Sequence, residues 1–186
     1  VTRRDFQFNV AVCEPTVFAE INAEYKPENN TYVVRSCGEK TVDFINESYN
    51  QQYINSYLWT FDIDGEQKTF NSRNVTVNFP EVGEYTGTMI VNPETECSDT
   101  AQLKVQVLPG IEADFEYEYD TCRAGPVRFF DLSETGADRL TDWHWSFGDG
   151  DTTTDRNPIH KYQTPGSIEV TLEVEDVNRC KDEITR

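Results

Sequence analysis

The sequence predicts an all-β protein. Apolar residues recur at every second position, turn-forming residues interrupt the chain about every eight to twelve residues, and no window carries an i, i+3, i+4, i+7 stripe. Alternation of this kind gives each strand one buried and one solvated face.

Taken in order, the opening "DFQFNVAV" reads as the last strand of a preceding copy, so residues 1–19 are assigned to that strand and its linker. The next aromatic strand, "YLWTFDIDG", sets Tyr57, Trp59 and Phe61 on one face and runs into an Asp-Gly turn. "AQLKVQV" aligns Leu103, Val105 and Val107, and "DFEYEYD" aligns Phe115, Tyr117 and Tyr119 against acidic neighbours. "WHWSFGDG" repeats the aromatic strand with Trp143, Trp145 and Phe147. "SIEVTLEVED" closes the series with Ile168, Val170, Leu172 and Val174 on one face. A small sandwich needs one or two large rings between its sheets, so Trp59, Phe61, Trp145 and Phe147 are expected in the core. Tyr57 and Trp143 stand nearer the loops and are expected to be partly exposed.

The strands form a repeat. "SCGEKTVDFINES" (36–48) matches "TCRAGPVRFFDLS" (121–133), and "NVTVNFPEVGEYTGTMIV" (74–91) matches "NPIHKYQTPGSIEVTLEV" (157–174). Cys97-Ser-Asp matches Cys180-Lys-Asp. Two domains are expected, at residues 20–109 and 110–186, joined by a short "LPG" linker.

The motifs "WSFGDG", "NPIHKY" and "TPG", with the long alternating strand ending in "NRCKD", resemble the PKD (polycystic-kidney-disease) domain. The closest form is the cysteine-bearing tandem type of large secreted bacterial surface proteins. The resemblance covers 111–186 well and 20–109 more loosely, because "WTFDIDG" carries an extra residue in the turn, and Val77 and Phe79 stand where the pattern has His and Tyr. It implies two tandem immunoglobulin-like β-sandwiches, elongated end-to-end, with an extracellular spacer or binding role and no catalysis.

Composition fits that expectation. A net charge of −18 disfavours nucleic-acid binding, which needs clustered Lys and Arg. No apolar run approaches the ~20 residues of a membrane helix. Five cysteines without a C-x-x-C pair, alongside two histidines, point to disulfides and an oxidising compartment. No nucleophile–base pair is evident, so the chain reads as a non-enzyme.

The cysteines repeat, which invites pairing of Cys37 with Cys97. In an immunoglobulin-like sandwich those two positions fall at opposite poles. A strand of about eight residues spans roughly 26 Å, whereas bridged Cα atoms lie within about 7 Å. Stacked domains instead suggest Cys37–Cys180, and by the same logic Cys13–Cys97, leaving Cys122 for a following domain.

Three further candidates concern ligands. Asp149 and Asp151 flank the "GDGD" turn and are the candidate Ca²⁺ ligands, although calcium takes six to eight oxygens and no cofactor is otherwise expected. His160, whose counterpart is Val77, reads as a packed imidazole. Tyr49, Asn50, Gln51, Gln52 and Tyr53 form an amide-rich aromatic loop suited to stacking on sugars or peptides. The functional expectation is a structural and adhesion segment of a long secreted or surface-anchored protein. Its expected partners are neighbouring domains of the same longer chain and extracellular proteins or glycans. The alternative is an accessory substrate-binding region of a secreted hydrolase.

Overall fold

The computed structural model describes residues 16–119 and 125–186. Among them there is no α-helix, only strands and one 3₁₀ turn at Gln51–Tyr53. The strands are β1 Glu24–Lys26, β2 Thr31–Cys37, β3 Thr41–Phe44, β4 Tyr57–Ile63, β5 Glu66–Phe70, β6 Val75–Asn78, β7 Gly83–Val91 and β8 Asp99–Leu108. They continue as β9 Ile111–Glu112, β10 Phe115–Glu118, β11 Val127–Asp131, β12 Glu134–Thr135, β13 Leu140–Ser146, β14 Thr152–Thr153, β15 Ile159–His160, β16 Thr171–Asp176 and β17 Lys181–Thr185. The fold is immunoglobulin-like: antiparallel sheets close over one aromatic core in each of two compact units.

The first unit takes residues up to Val34, then Thr41–Pro80 and Glu84–Gln106. One of its sheets has the strand order β1-β2-β8-β7-β4-β5, and β3 pairs with β6 in the other. Phe44, Trp59, Phe61, Phe79 and Met89 are fully buried. The Phe44 and Phe61 rings lie 4.7 Å apart. Asp64 and Gly65, both at positive φ, form the two-residue β4–β5 turn that the Asp-Gly signal demands.

The second unit takes Arg35–Lys40, Glu81–Gly83 and Val107–Arg186. Its sheets run β14-β13-β16-β17 and β10-β11-β15, with β9 paired to β12. Phe115, Phe129, Trp145, Phe147, Leu172 and Val174 make its core. Here the acidic turn is longer, spanning Phe147–Asp151, and it is closed by the Phe147 N–H donating to the Asp151 carbonyl at 3.1 Å.

Spatial division and repeat boundaries differ in two places. Val17 and Ala19 are buried, and the Ala19 N–H donates to Asp99 at 2.8 Å, so residues 16–19 are integral to the first unit rather than to a preceding strand. Residues 35–40 cluster with the second unit although they belong to the first repeat. Local expectations also shift. Leu103, Val105 and Val107 are buried as their alternation requires. Among the described residues of "DFEYEYD" only Phe115 is buried, while Tyr117 and Tyr119 are exposed and stacked on each other at 6.0 Å. In "SIEVTLEVED" the strand begins at Thr171, not Ile168, since among the described residues no strand pairs with Ile168 or Glu169.

The repeat extends to the polar groups inside the units. The Ala19–Asp99 bond has its counterpart in the Ala113 N–H donating to Asp182, also at 2.8 Å. Ser48 Oγ accepts from the Glu20 N–H at 3.1 Å, and Ser133 Oγ from the Asp114 N–H at 3.0 Å. Asn74 Oδ1 accepts from the Asn46 N–H at 3.0 Å, and Asn157 Oδ1 from the Asp131 N–H at 2.9 Å. Each bond satisfies a backbone donor where the chain leaves regular pairing, and an unpaired donor there costs about 1–3 kcal/mol.

Candidate functional site

The aromatic strands resolve into core and rim. Trp59 and Trp145 are 0% exposed, and Phe61 and Phe147 are buried beside them. The Trp59 indole N–H donates to the Ser72 carbonyl at 2.9 Å. Trp143 is half-buried, and its indole N–H donates to Asp131 Oδ2 at 2.9 Å. Arg156 Nε donates to the same oxygen at 3.0 Å, and its guanidinium lies 5.2 Å from the Trp143 ring centre. A buried carboxylate is thus held by an indole, a guanidinium and the Ser133 N–H. The sequence did not single out Asp131, and only its match to Asn46 within the repeat marks the position.

Asp149, Asp151 and His160 bring their ligand atoms within 4.8 Å of one another. The imidazole lies flat on Phe147 at 4.2 Å, edge-on to Tyr162 at 4.6 Å, with Nε2 2.7 Å from Asp149 Oδ2. Asp149 Oδ1 accepts from the Asp151 N–H at 3.2 Å. The His160 hydrogen bond holds the Asp149 carboxyl below its ordinary value, the Asp151 N–H adding to the effect. This donor set fits calcium poorly: it supplies one nitrogen and two carboxylates where six to eight oxygens are needed, and protein donors already engage Asp149. Its evident chemistry is a hydrogen-bonded brace for the turn.

In the loop 47–57 the backbone is fixed and the rings are presented. Asn50 is in the left-handed region at φ 57, and its Nδ2 donates to the Thr16 carbonyl at 2.8 Å. Arg73 donates to Gln51, and Asn92 Nδ2 donates to the Tyr53 carbonyl at 3.0 Å. Tyr49 is 57% and Tyr53 47% exposed, and Gln52 is exposed as well. Tyr49 bridges to Phe18, whose ring centre is 6.2 Å away.

Cys37 and Cys180 are joined by a disulfide across 143 residues of sequence, with Cα atoms 5.7 Å apart. Both fall in the second unit. Beside the bond, the Gly38 N–H donates to the Leu108 carbonyl at 2.9 Å, and a Cβ on Gly110 would come 3.0 Å from the Gly38 Cα. Asp176 Oδ1 accepts from the Asn178 and Cys180 N–H groups at 2.8 and 3.0 Å, fixing the turn that presents Cys180. Cys97 is disulfide-bonded as well. Its expected partner Cys13, and Cys122, lie outside the described residues.

A feature absent from the sequence reading is a cleft of about 450 Å³ in the second unit, lined by Phe115, Tyr117, Phe129, Tyr162, Ile168 and Arg186 among others. The Tyr162 hydroxyl is buried without a hydrogen-bond partner among the described residues, and burial raises its pKa, with the Asp149 charge adding to the shift.

Two immunoglobulin-like sandwiches with buried motif aromatics define the class. More narrowly, residues 112–186 match the family model of the PKD domain. No curated protein matches the chain in sequence. Among solved structures, the PKD1 domain of Vibrio anguillarum Epp is 28% identical over 41% of this chain and 87% of its own, with a TM-score of 0.38. A 1.5-MDa bacterial ice-binding adhesin, studied for host cell surface retention, aligns over 92% of this chain at 10% identity and a TM-score of 0.35. Bacteroides ovatus SGBP-B, from a mixed-linkage glucan utilization locus and in complex with a mixed-linkage heptasaccharide, aligns over 90% at 13% identity and a TM-score of 0.36. The chain spans 63% and 46% of the lengths of the last two.

Proposed function

We propose that the chain is a non-catalytic, load-bearing segment of an extracellular or surface-anchored protein, built from tandem PKD-type sandwiches. The Cys37–Cys180 bond carries this reading. Tension applied at the two ends follows the shortest covalent path, from the N-terminal side through Cys37 to Cys180. The residues between the cysteines, 38–179, are then spared. Such a bond belongs to oxidising compartments. Spacing and reach would be its main work, with the exposed Tyr49 and Tyr53 rings available for protein or glycan contacts.

Single-molecule pulling on the termini tests the reading. Reduction is expected to release about 500 Å of additional contour length, at ~3.5 Å per residue. Equal extension under oxidising and reducing conditions would contradict a load-bearing role.

A further inference from the structure

Residues 17–22 and 45–49 of the first unit run antiparallel to each other. The Glu47 N–H donates to the Glu20 carbonyl at 3.0 Å, the Tyr49 N–H to the Phe18 carbonyl at 3.0 Å, and the Asn22 N–H to the Ile45 carbonyl at 3.1 Å. This register sets Phe18 opposite Tyr49 and Glu20 opposite Glu47. Burial alternates strictly along both segments. Val17, Ala19, Ile21, Asn46 and Ser48 face the core, while the two pairs face outward, with Phe18 51% and Tyr49 57% exposed. Like charges directly opposite each other destabilise a sheet. Among the described residues no Lys or Arg forms an ion pair with either glutamate. The second unit shows that the backbone needs neither pair. Ala19 and Ser48 correspond to Ala113 and Ser133, so the rings are replaced there by Glu112 and Glu134, which pair in the same register. The two glutamates are replaced by Leu132 and by Asp114, which Arg186 engages at 2.6 Å.

From this juxtaposition of a glutamate pair and an aromatic pair we infer that the outward face is a contact surface for an arginine side chain of a partner protein. Directly opposite residues have Cβ atoms about 5 Å apart, so one guanidinium reaches both carboxylates. The ring pair lies two residues along the strands, about 7 Å away, a spacing that long side chains bridge. There the planar cation, or the methylene stem that carries it, packs on an aromatic face. A guanidinium in this position also relieves the repulsion between the glutamates. A neutral glycan stacks on the rings but leaves that repulsion in place. The inference rests on the contact part of the proposed function, and the load-bearing part stands without it.

NMR titration of the whole chain with the peptide Gly-Arg-Gly-Arg-Gly tests it, beside the same peptide carrying citrulline, a neutral isostere, at both arginines. The arginine peptide is expected to shift the Phe18, Glu20, Glu47 and Tyr49 amides and to bind about tenfold more tightly than the citrulline peptide. Glu112 and Glu134 serve as an acidic pair with no ring pair beside it, and their amides should not move. The double variant Glu20→Gln, Glu47→Gln should bind the arginine peptide about fivefold more weakly. Glu20→Gln alone should raise Tm by about 1–2 °C, because it removes a repulsion. Equal binding of the two peptides, shifts at Glu112 and Glu134 as large as those at Glu20 and Glu47, or a Tm lowered by Glu20→Gln would overturn the inference. Shifts of the four amides with cellohexaose and not with the arginine peptide would overturn it as well, while leaving a glycan-contact role in place.

Discussion

Asp131 and Asn46 occupy the same repeat position, and both are buried, yet only one carries a charge. The difference follows from their neighbours. Trp143 and Arg156 both donate to Asp131, whereas their counterparts are Tyr57 and an Arg73 that donates to Gln51 instead. Asp131→Asn should therefore cost about 1–3 kcal/mol, because an amide nitrogen cannot accept from the indole and guanidinium. Asn46→Asp should also destabilise, by leaving a buried carboxylate without a cation. Urea melts followed by tryptophan fluorescence check both, and an unshifted midpoint for Asp131→Asn contradicts the assignment. At the turn, the lowered Asp149 pKa fixes the sign of a pH effect. A carboxyl with a depressed folded pKa stabilises fully above its unfolded value and loses that contribution as pH falls through the folded one. Thermal melts on acidification below about pH 4 should show this loss in the parent chain and a smaller one in Asp149→Asn. Of these residues Trp143, Tyr57, Gln51, Asp149 and His160 were singled out in the sequence, through the aromatic alternation, the amide-rich loop, the glycine turn and the Val77 match. Asp131 was hidden, since one buried acid looks like any of 34 acidic residues until its partners are known.

Among the elements, the turn after β13 shows what two glycines in one motif do differently. Gly148 has φ +74, and a Cβ there would sit 2.3 Å from the Glu169 carbonyl oxygen. Gly150 has φ +102 but open space around it. Gly148→Ala should therefore cost about 3 kcal/mol, from backbone strain plus steric overlap. Gly150→Ala should cost nearer 1 kcal/mol, from strain alone. Denaturant midpoints of the two variants measure the difference, and equal losses would show that the approach to Glu169 does not matter. Strand existence and facing were readable from the alternation because a period of two leaves little choice of register. Strand ends were less readable. Ile168, Tyr117 and Tyr119 carry the pattern of buried positions, but burial needs a facing strand, and the pattern on one strand does not reveal whether its neighbour is there.

For the whole molecule, the recurrence of backbone-capping bonds at Ser48 and Ser133, Asp99 and Asp182, and Asn74 and Asn157 is what makes the two units equivalent in construction. The repeat itself was visible in the sequence. The allocation of residues 35–40 to the second unit was not, because it depends on contacts made far along the chain. Central to the account is that the paired aromatic motifs are structural cores rather than exposed ligand platforms. Acrylamide quenching of a Trp143→Phe variant tests this most directly, since the remaining indoles are Trp59 and Trp145, both 0% exposed. The account predicts blue-shifted emission that acrylamide barely quenches until denaturant unfolds the chain. Red-shifted emission, readily quenched in the native protein, would contradict it.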